Sequence, residues 1–299
     1  MADPKLRIRA SGLGGSGYFN PITREKVIGV TTALGALDKP GVTQWAVDQT
    51  VMFLIANLDM VKQRSDEQIF KFGRFIHTRG TPAKFDNPDI DVHNYHDFVL
   101  NDLADLGTSV HEWVEEYLTD GFPPDLIRDE QVQMVEAFLD WLDQHDVKVV
   151  ATEMTVFGDG YGGTLDLILE IDGVTYLTDV KTSRAVRDTH IAQLSAYGAA
   201  SMALVEVPEG AEGAVEYKGS WWVDKTLPGF QKYAILQLRP NDYDSKGNFV
   251  PAFCKMHVLS QEEIDAGYLL YLSAQNARLS AKMLADARKE RESNDYNGE

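Results

Sequence analysis

Apolar and polar residues alternate most clearly in residues 163–183, GTLDLILEIDGVTYLTDVKTS. Two such runs meet at Asp172-Gly173, a dipeptide suited to a two-residue type I′ turn because both central residues need positive φ. The stretch predicts a β-hairpin. With Ile171 opposite Val174, counting outward places Asp166 opposite Asp179. One face then carries Leu165, Leu167, Leu169, Ile171, Val174, Tyr176, Thr178 and Val180 and reads as core. The other carries Thr164, Asp166, Ile168, Glu170, Thr175, Leu177, Asp179 and Lys181, with acids and lysine emerging beside a small apolar patch.

Elsewhere the period is mostly helical. Residues 1–29, with Gly12, Gly14, Gly15, Gly17 and Pro21, predict an irregular leading segment. A short helical run through Leu34 and Leu37 is stopped by Pro40, and Thr43 caps a helix carrying Trp45, Val47, Val51, Leu54 and Ile55. Ser65 and Gln68 form a capping-box pattern before Ile69, Phe72, Phe75 and Ile76. A helix starts near residue 96 and continues or restarts near Thr108. Its apolar stripe is Val110, Trp113, Val114, Tyr117 and Leu118, with His111 and Glu115 on the opposite face. Residues 130–143 predict a helix with Val132, Val135, Phe138, Leu139 and Leu142 inward. Residues 147–156 predict a strand containing Glu153, paired with the hairpin strands through a GDGYGG turn. A helix over 187–204 places Gln193 and Tyr197 on one face near His190. EVPEGAEGAVEYKGS reads as loop, 233–238 and 252–259 as strands, and Ser260 with Glu263 as the cap of a final helix carrying Ile264, Tyr268, Leu272, Leu279 and Met283. Its tail frays. No internal repeat is present, so one domain is the economical reading.

Composition narrows the class. The 299 residues are 44% hydrophobic and 25% charged, as in ordinary globular proteins. No apolar run reaches membrane-span length and MADPKLRIRA lacks a signal-peptide apolar segment, so a cytoplasmic protein without a membrane partner is expected. The single cysteine, Cys254, excludes a disulfide framework or a cysteine-ligated zinc or iron-sulfur site within one chain. A net charge of -18 makes non-specific nucleic-acid binding weak, yet a local basic groove can still bind. Lys62, Arg64, Lys71 and Arg74 form such a cluster, read evenly as a solvated helix face or a phosphate-contacting arm.

Two facing aspartates repel, and a cation offsets that repulsion. Carboxylates so placed can bind Mg²⁺, with water and phosphate oxygens completing the shell. The bland alternative is an exposed strand face with an Asp/Lys ion pair. Lys181, two residues after Asp179, points to the same side as both acids.

The order His111, Glu153, GTLD ending at Asp166, DVK from Asp179 to Lys181, and Gln193 to Tyr197 resembles the RecB-like branch of the PD-(D/E)XK nuclease superfamily over residues 108–200. VTTALGALDKPGVTQWA also resembles bacteriophage exonucleases related to the CRISPR-associated exonucleases, whose iron-sulfur cysteines this chain lacks. The resemblance implies a mixed α/β (α+β) restriction-endonuclease-like fold: a central mixed sheet flanked by helices, a helical part over 30–105, a nuclease core over 106–259 and a C-terminal helix and tail over 260–299. It implies Mg²⁺ or Mn²⁺ held by Asp166, Asp179, His111 and the Val180 carbonyl, without an iron-sulfur cluster. Lys181 would orient or deprotonate the attacking water, and Gln193 and Tyr197 would border the site. Glu153 and Glu115 would support it, and Arg184 and Arg187 join Lys62, Arg64, Lys71 and Arg74 as candidate DNA contacts. The partner is single- or double-stranded DNA, with a recombination or replication protein as a further partner class. Exonuclease and structure-specific endonuclease both stay open, as do a phosphohydrolase acting on nucleotides and a catalytically silent scaffold.

Overall fold

The computed structural model describes residues 5–10, 15–37, 40–56, 58, 95–119, 121–244 and 246–296. The chain divides into two compact units, Met1–Leu37 with Gly107–Glu299, and Asp38–Leu106. In the smaller unit, helix α2 (Pro40–Ala56) begins at proline rather than at Thr43, as suits a residue whose missing N–H costs nothing in a first helical turn. Helix α3 spans Tyr95–Thr119, with Gly107 inside it. The predicted helix after Ser65 lies outside the described residues.

The larger unit is a mixed α/β structure on an eleven-stranded sheet. Its centre is the predicted hairpin, β5 (Tyr161–Ile171) and β6 (Val174–Lys181). Asp172 has φ 50° and Gly173 φ 80°, and the register runs from Ile171↔Val174 to Leu167↔Thr178 as the turn dictates. β4 (Val147–Gly158) pairs with β5 along one edge. On the other edge β5 changes partner: Tyr161 and Gly162 pair in parallel with β3 (Lys26–Gly29), and pairing resumes with β6 only at Leu167. Residues 163–166 therefore have no described strand on that side.

Residues 1–29 were expected to be irregular. Instead β1 (Arg7–Ala10), β2 (Gly15–Phe19) and β3 form an antiparallel meander, secured by buried Leu6, Tyr18 and Ile28. Four- and five-residue strands punctuated by glycine offer too few alternations to register in a sequence. After β3 comes the short helix α1 (Val30–Leu34).

Helix α4 (Asp129–Leu142) buries Gln131, Met134, Val135, Phe138 and Trp141 and leaves Val132 exposed. Helix α5 (Asp188–Gly198) ends six residues earlier than predicted, and Met202 opens β7 (Met202–Val207). The break has two causes. A Cβ on Gly198 would lie 2.3 Å from the Tyr233 hydroxyl, and the Ser201 N–H donates to the Phe157 carbonyl at 3.0 Å, drawing the chain onto β4. β4 thus pairs with β5 and β7, not with β6.

Part of the predicted loop is a hairpin, β8 (Val215–Tyr217) and β9 (Ser220–Lys225), turning at Lys218 (φ 52°) and Gly219 (φ 77°). β10 (Lys232–Arg239) pairs in parallel with β6 and antiparallel with β13 (Phe253–Leu259). The segment between them holds the small hairpin β11 (Asp242–Tyr243) and β12 (Phe249–Val250). Helix α6 (Gln261–Tyr296) opens with the predicted capping box: Glu263 N–H donates to Ser260 Oγ at 3.2 Å and Ser260 N–H to Glu263 Oε2 at 2.7 Å. It runs to Tyr296, into the tail expected to fray, with Leu279 and Met283 exposed.

One core joins α1, α5 and α6 to the sheet through Ile28, Leu34, Ile168, Leu177, Leu194 and Tyr271. On β10 and β13 packs α4.

Candidate functional site

The unpaired stretch of β5 ends at Asp166, and the end of β6 brings Asp179, Val180 and Lys181 beside it. The ladder stops one pair short of Asp166 and Asp179. In place of that pair, Asp166 Oδ2 accepts the Val180 N–H at 3.1 Å. Helix α3 supplies His111, whose Nδ1 lies 3.5 Å from Asp166 Oδ2. Lys181 Nζ lies 2.5 Å from Asp179 Oδ2. Extrapolating the β4–β5 pairs on either side places Glu153 opposite Asp166, and Glu153 itself has φ 43°.

The face bearing these acids was expected to be open. It is covered: Ile168, Leu177 and Asp179 are each 0% exposed. A strand flanked by packed layers on both sides needs apolar residues at consecutive positions, and LILEI of β5 has them. Solvent reaches the site at His111, Asp166 and Lys181, which retain 16 to 17% side-chain exposure.

Burial dominates the electrostatics. It pushes the Asp179 acid up to about 7, with Asp166 adding to the rise and Lys181 opposing it. Among the described residues neither Asp179 oxygen accepts a well-aligned hydrogen bond, although the Lys181 ammonium stands beside Oδ2. For Lys181, burial alone would lower the pKa, but Asp179 and Asp166 outweigh it and the ammonium is favoured. Glu153 is pushed up to about 8 by burial, then by Glu115 and Asp166. Burial lowers the His111 pKa against the pull of Asp166, and Lys181 adds to the lowering. A neutral imidazole results, the form that donates a lone pair.

Gln193 Nε2 donates to Tyr197 Oη at 3.0 Å, the four-residue spacing read from the sequence. The Tyr197 ring lies over Gly163, where a Cβ would meet Cε1 at 2.4 Å. This contact explains the glycine that precedes Thr164, Leu165 and Asp166. Burial raises the Tyr197 hydroxyl well above its ordinary value, with Tyr18, Asp166 and Asp179 contributing, so it stands within electrostatic reach of both acids. Tyr18, which the sequence did not single out, shares a hydroxyl contact of 3.1 Å with Thr164.

The donor set of two aspartates, a backbone carbonyl and a neutral imidazole could hold a hard divalent cation. The unsatisfied Asp179 oxygens fit that role, because buried carboxylate oxygens lacking partners are costly. As now placed, no three His, Cys, Asp or Glu side chains among the described residues are spaced to bind an ion.

The candidate DNA contacts divide. Lys62, Arg64, Lys71 and Arg74 lie outside the described residues. The Arg187 N–H donates to His190 Nδ1 at 3.3 Å at the start of α5, and its side chain is exposed. Arg184 is bound to Asp242 through Nε at 2.9 Å and Nη2 at 2.8 Å. Asp242 falls between the strands predicted over 233–238 and 252–259, and its role as a guanidinium acceptor had no local signal.

That pairing predicts a pH effect. The hydrogen bond from Arg184 holds the Asp242 acid down to about 2, against about 3.9 for an unfolded aspartate. A depressed native pKa gives stability that is present above about pH 4 and is lost as pH falls toward 2. Asp242→Asn is expected to flatten this part of the stability profile, measured by urea midpoints between pH 5 and 2.5 (about the window just given). An unchanged profile would show that Asp242 does not contribute.

No protein-family model and no curated protein matches the chain. Among solved structures, the crystal structure of LHK-Exo in complex with dAMP is similar, with a TM-score of 0.30 and 12% identity over 62% of this chain and 85% of that one. A likeness of this size does not assign a fold.

Proposed function

We propose that the chain is a Mg²⁺- or Mn²⁺-dependent deoxyribonuclease of phage origin, acting as an exonuclease in DNA recombination, repair or degradation. The supporting observation is the convergence of buried Asp179 with Asp166, His111, Val180 and Lys181 beside the stretch of β5 that has no described strand on its β6 side. Asp166, Asp179, His111 and the Val180 carbonyl would hold the ion. Once bound, such an ion supplies Lewis acidity and a lowered pKa for water. Lys181 would orient the attacking water and offset negative charge building on the phosphate. Gln193 fixes Tyr197 against Gly163, which keeps the aromatic wall of the site in place. Glu153, kept protonated near neutral pH by burial and by its acidic neighbours, would give up its proton as a cation arrived, and with Glu115 would support the site.

The test is incubation of linear and covalently closed circular DNA, single- and double-stranded, with Mg²⁺ or Mn²⁺. Degradation of linear DNA is expected, and Lys181→Ala should reduce it about 10²- to 10³-fold. Cutting of closed circles would replace the exonuclease by an endonuclease. No cleavage with either metal would leave a DNA-binding scaffold. His111→Ala should shift the metal titration about tenfold upward, in the range found when support of a metal site is lost. An unshifted titration would make His111 a structural residue.

A further inference from the structure

The loop that follows Lys181 is held more firmly than a surface connection requires. Arg239 Nη1 donates to the Thr182 carbonyl at 2.7 Å, and Gln237 Nε2 to the Ser183 carbonyl at 2.8 Å. Gln237 is buried, and its Oε1 lies 2.9 Å from His257 Nε2, so its amide is fixed from both ends. Arg239 Nη2 also donates to Asp242 Oδ2 at 3.0 Å. One carboxylate therefore serves two guanidinium groups and leaves an excess positive charge, in a chain whose net charge is -18.

Arg184 carries that excess outward. Its side chain is 72% exposed although two of its nitrogens are bound to Asp242. The two-point grip fixes the plane of the guanidinium and turns the Nη1 edge away from the carboxylate. An isolated exposed ion pair contributes little to stability, and a loop bolted at two successive carbonyls is not needed to form one. Orientation of a planar donor toward a phosphate does need it. Arg184 is three residues from Lys181, a span of at most about 10 Å between their α-carbons, on the scale of neighbouring phosphates along a strand.

We propose that Arg184 forms a second phosphate subsite, one that binds a non-scissile phosphodiester of the same DNA strand, and that Asp242 is its positioning residue. This inference rests on the nuclease reading above. It goes beyond a general basic contact, because it assigns the contact to one strand, separates it from the scissile phosphate and gives a role to an acid.

The full chain, in the cleavage-deficient Lys181→Ala background with Mg²⁺ present, can be titrated with a fluorescein-labelled DNA strand over a series of KCl concentrations. Arg184→Ala should weaken binding about tenfold, as loss of one charge-assisted hydrogen bond does, and reduce the slope of log K against log salt by about 0.7 to 0.9. Arg184→Lys should recover the slope because it restores the charge. Asp242→Asn should keep the slope and weaken binding, since the charge remains but its orientation is lost. With Lys181 intact, Arg184→Ala should raise KM for DNA with kcat unchanged. Hydrolysis of the p-nitrophenyl ester of thymidine 5′-phosphate, which has no second phosphodiester, should stay as in the parent.

Unchanged affinity and slope in Arg184→Ala would overturn the subsite while leaving the nuclease reading intact. Parent-like binding by Asp242→Asn would overturn the positioning role. Absence of DNA binding by the parent would remove the nuclease reading, and the subsite with it.

Discussion

Asp179→Asn is expected to abolish metal-dependent DNA cleavage, with a fall of at least about 10³-fold, and to leave the protein as stable as before or more stable. The two effects have one cause. Asp179 is 0% exposed, and among the described residues its oxygens accept no well-aligned hydrogen bond. Burial pushes its acid up to about 7, so the folded chain binds this proton more tightly than the unfolded chain does. Its contribution to stability is greatest below about pH 4, where aspartate is protonated in both states, and declines as pH rises toward 7.

Asparagine keeps the shape and the neutrality of the protonated acid, which removes the decline. Lys181 keeps Asp166 as a neighbouring carboxylate. Thermal melts at pH 5 and pH 8 (about the lower and upper sides of that window) should therefore differ less in the variant than in the parent. Mg²⁺ should raise the melting temperature of the parent and not that of the variant, because a ligand stabilises only the form that binds it. Full cleavage by Asp179→Asn would remove Asp179 from the site. A large loss of stability would show that the charge is structural.

Gly163→Ala should produce a large packing defect beside the site. Its Cβ would lie 2.4 Å from Tyr197 Cε1 and 3.3 Å from Cδ1 and Cζ. Tyr197 cannot retreat freely, because it is 3% exposed within the core beneath α5. Overpacking of this kind costs about 1–3 kcal/mol, which for a unit of this size lowers Tm by about 2–4 °C per kcal/mol. Displacement of the ring also strains the bond from Gln193 and alters the wall beside Asp166, so cleavage should fall along with stability. Gly229→Ala is the matched control, since its Cβ would meet nothing within 4 Å. A stability change of Gly163→Ala no larger than that of the control would remove the proposed contact from the account of the site.

The parts of the site visible in the sequence were those encoded over short distances. Asp172-Gly173 specified both the turn and the register, which brought Asp166 and Asp179 to the same end of the hairpin. Gln193 and Tyr197 are four apart on one helix and are bonded as that spacing suggests. Ser260 and Glu263 capped α6 for the same local reason.

What the sequence concealed depended on distant partners. A period of two separates the faces of a strand without saying what covers them, so the burial of Ile168, Leu177 and Asp179 was unreadable. The end of α5 depends on Tyr233, thirty-five positions after Gly198 by sequence number. Arg184 and Asp242 are 58 residues apart and meet because β6 and β10 run in parallel. The N-terminal meander is similarly non-local: β3 joins the sheet through Ile28↔Tyr161 and Gly29↔Gly162.

That small attachment guards the molecule against its own kind. β3 covers Tyr161 and Gly162, immediately before the stretch of β5 that has no described strand beside it. Losing the meander would extend the bare backbone toward the Asp159-Gly160 turn and uncover Tyr18's place over Gly162. Such an edge is a template for pairing with another chain. The β1–β3 meander therefore acts as a built-in barrier to such pairing, placed beside the stretch of β5 that has no described neighbour.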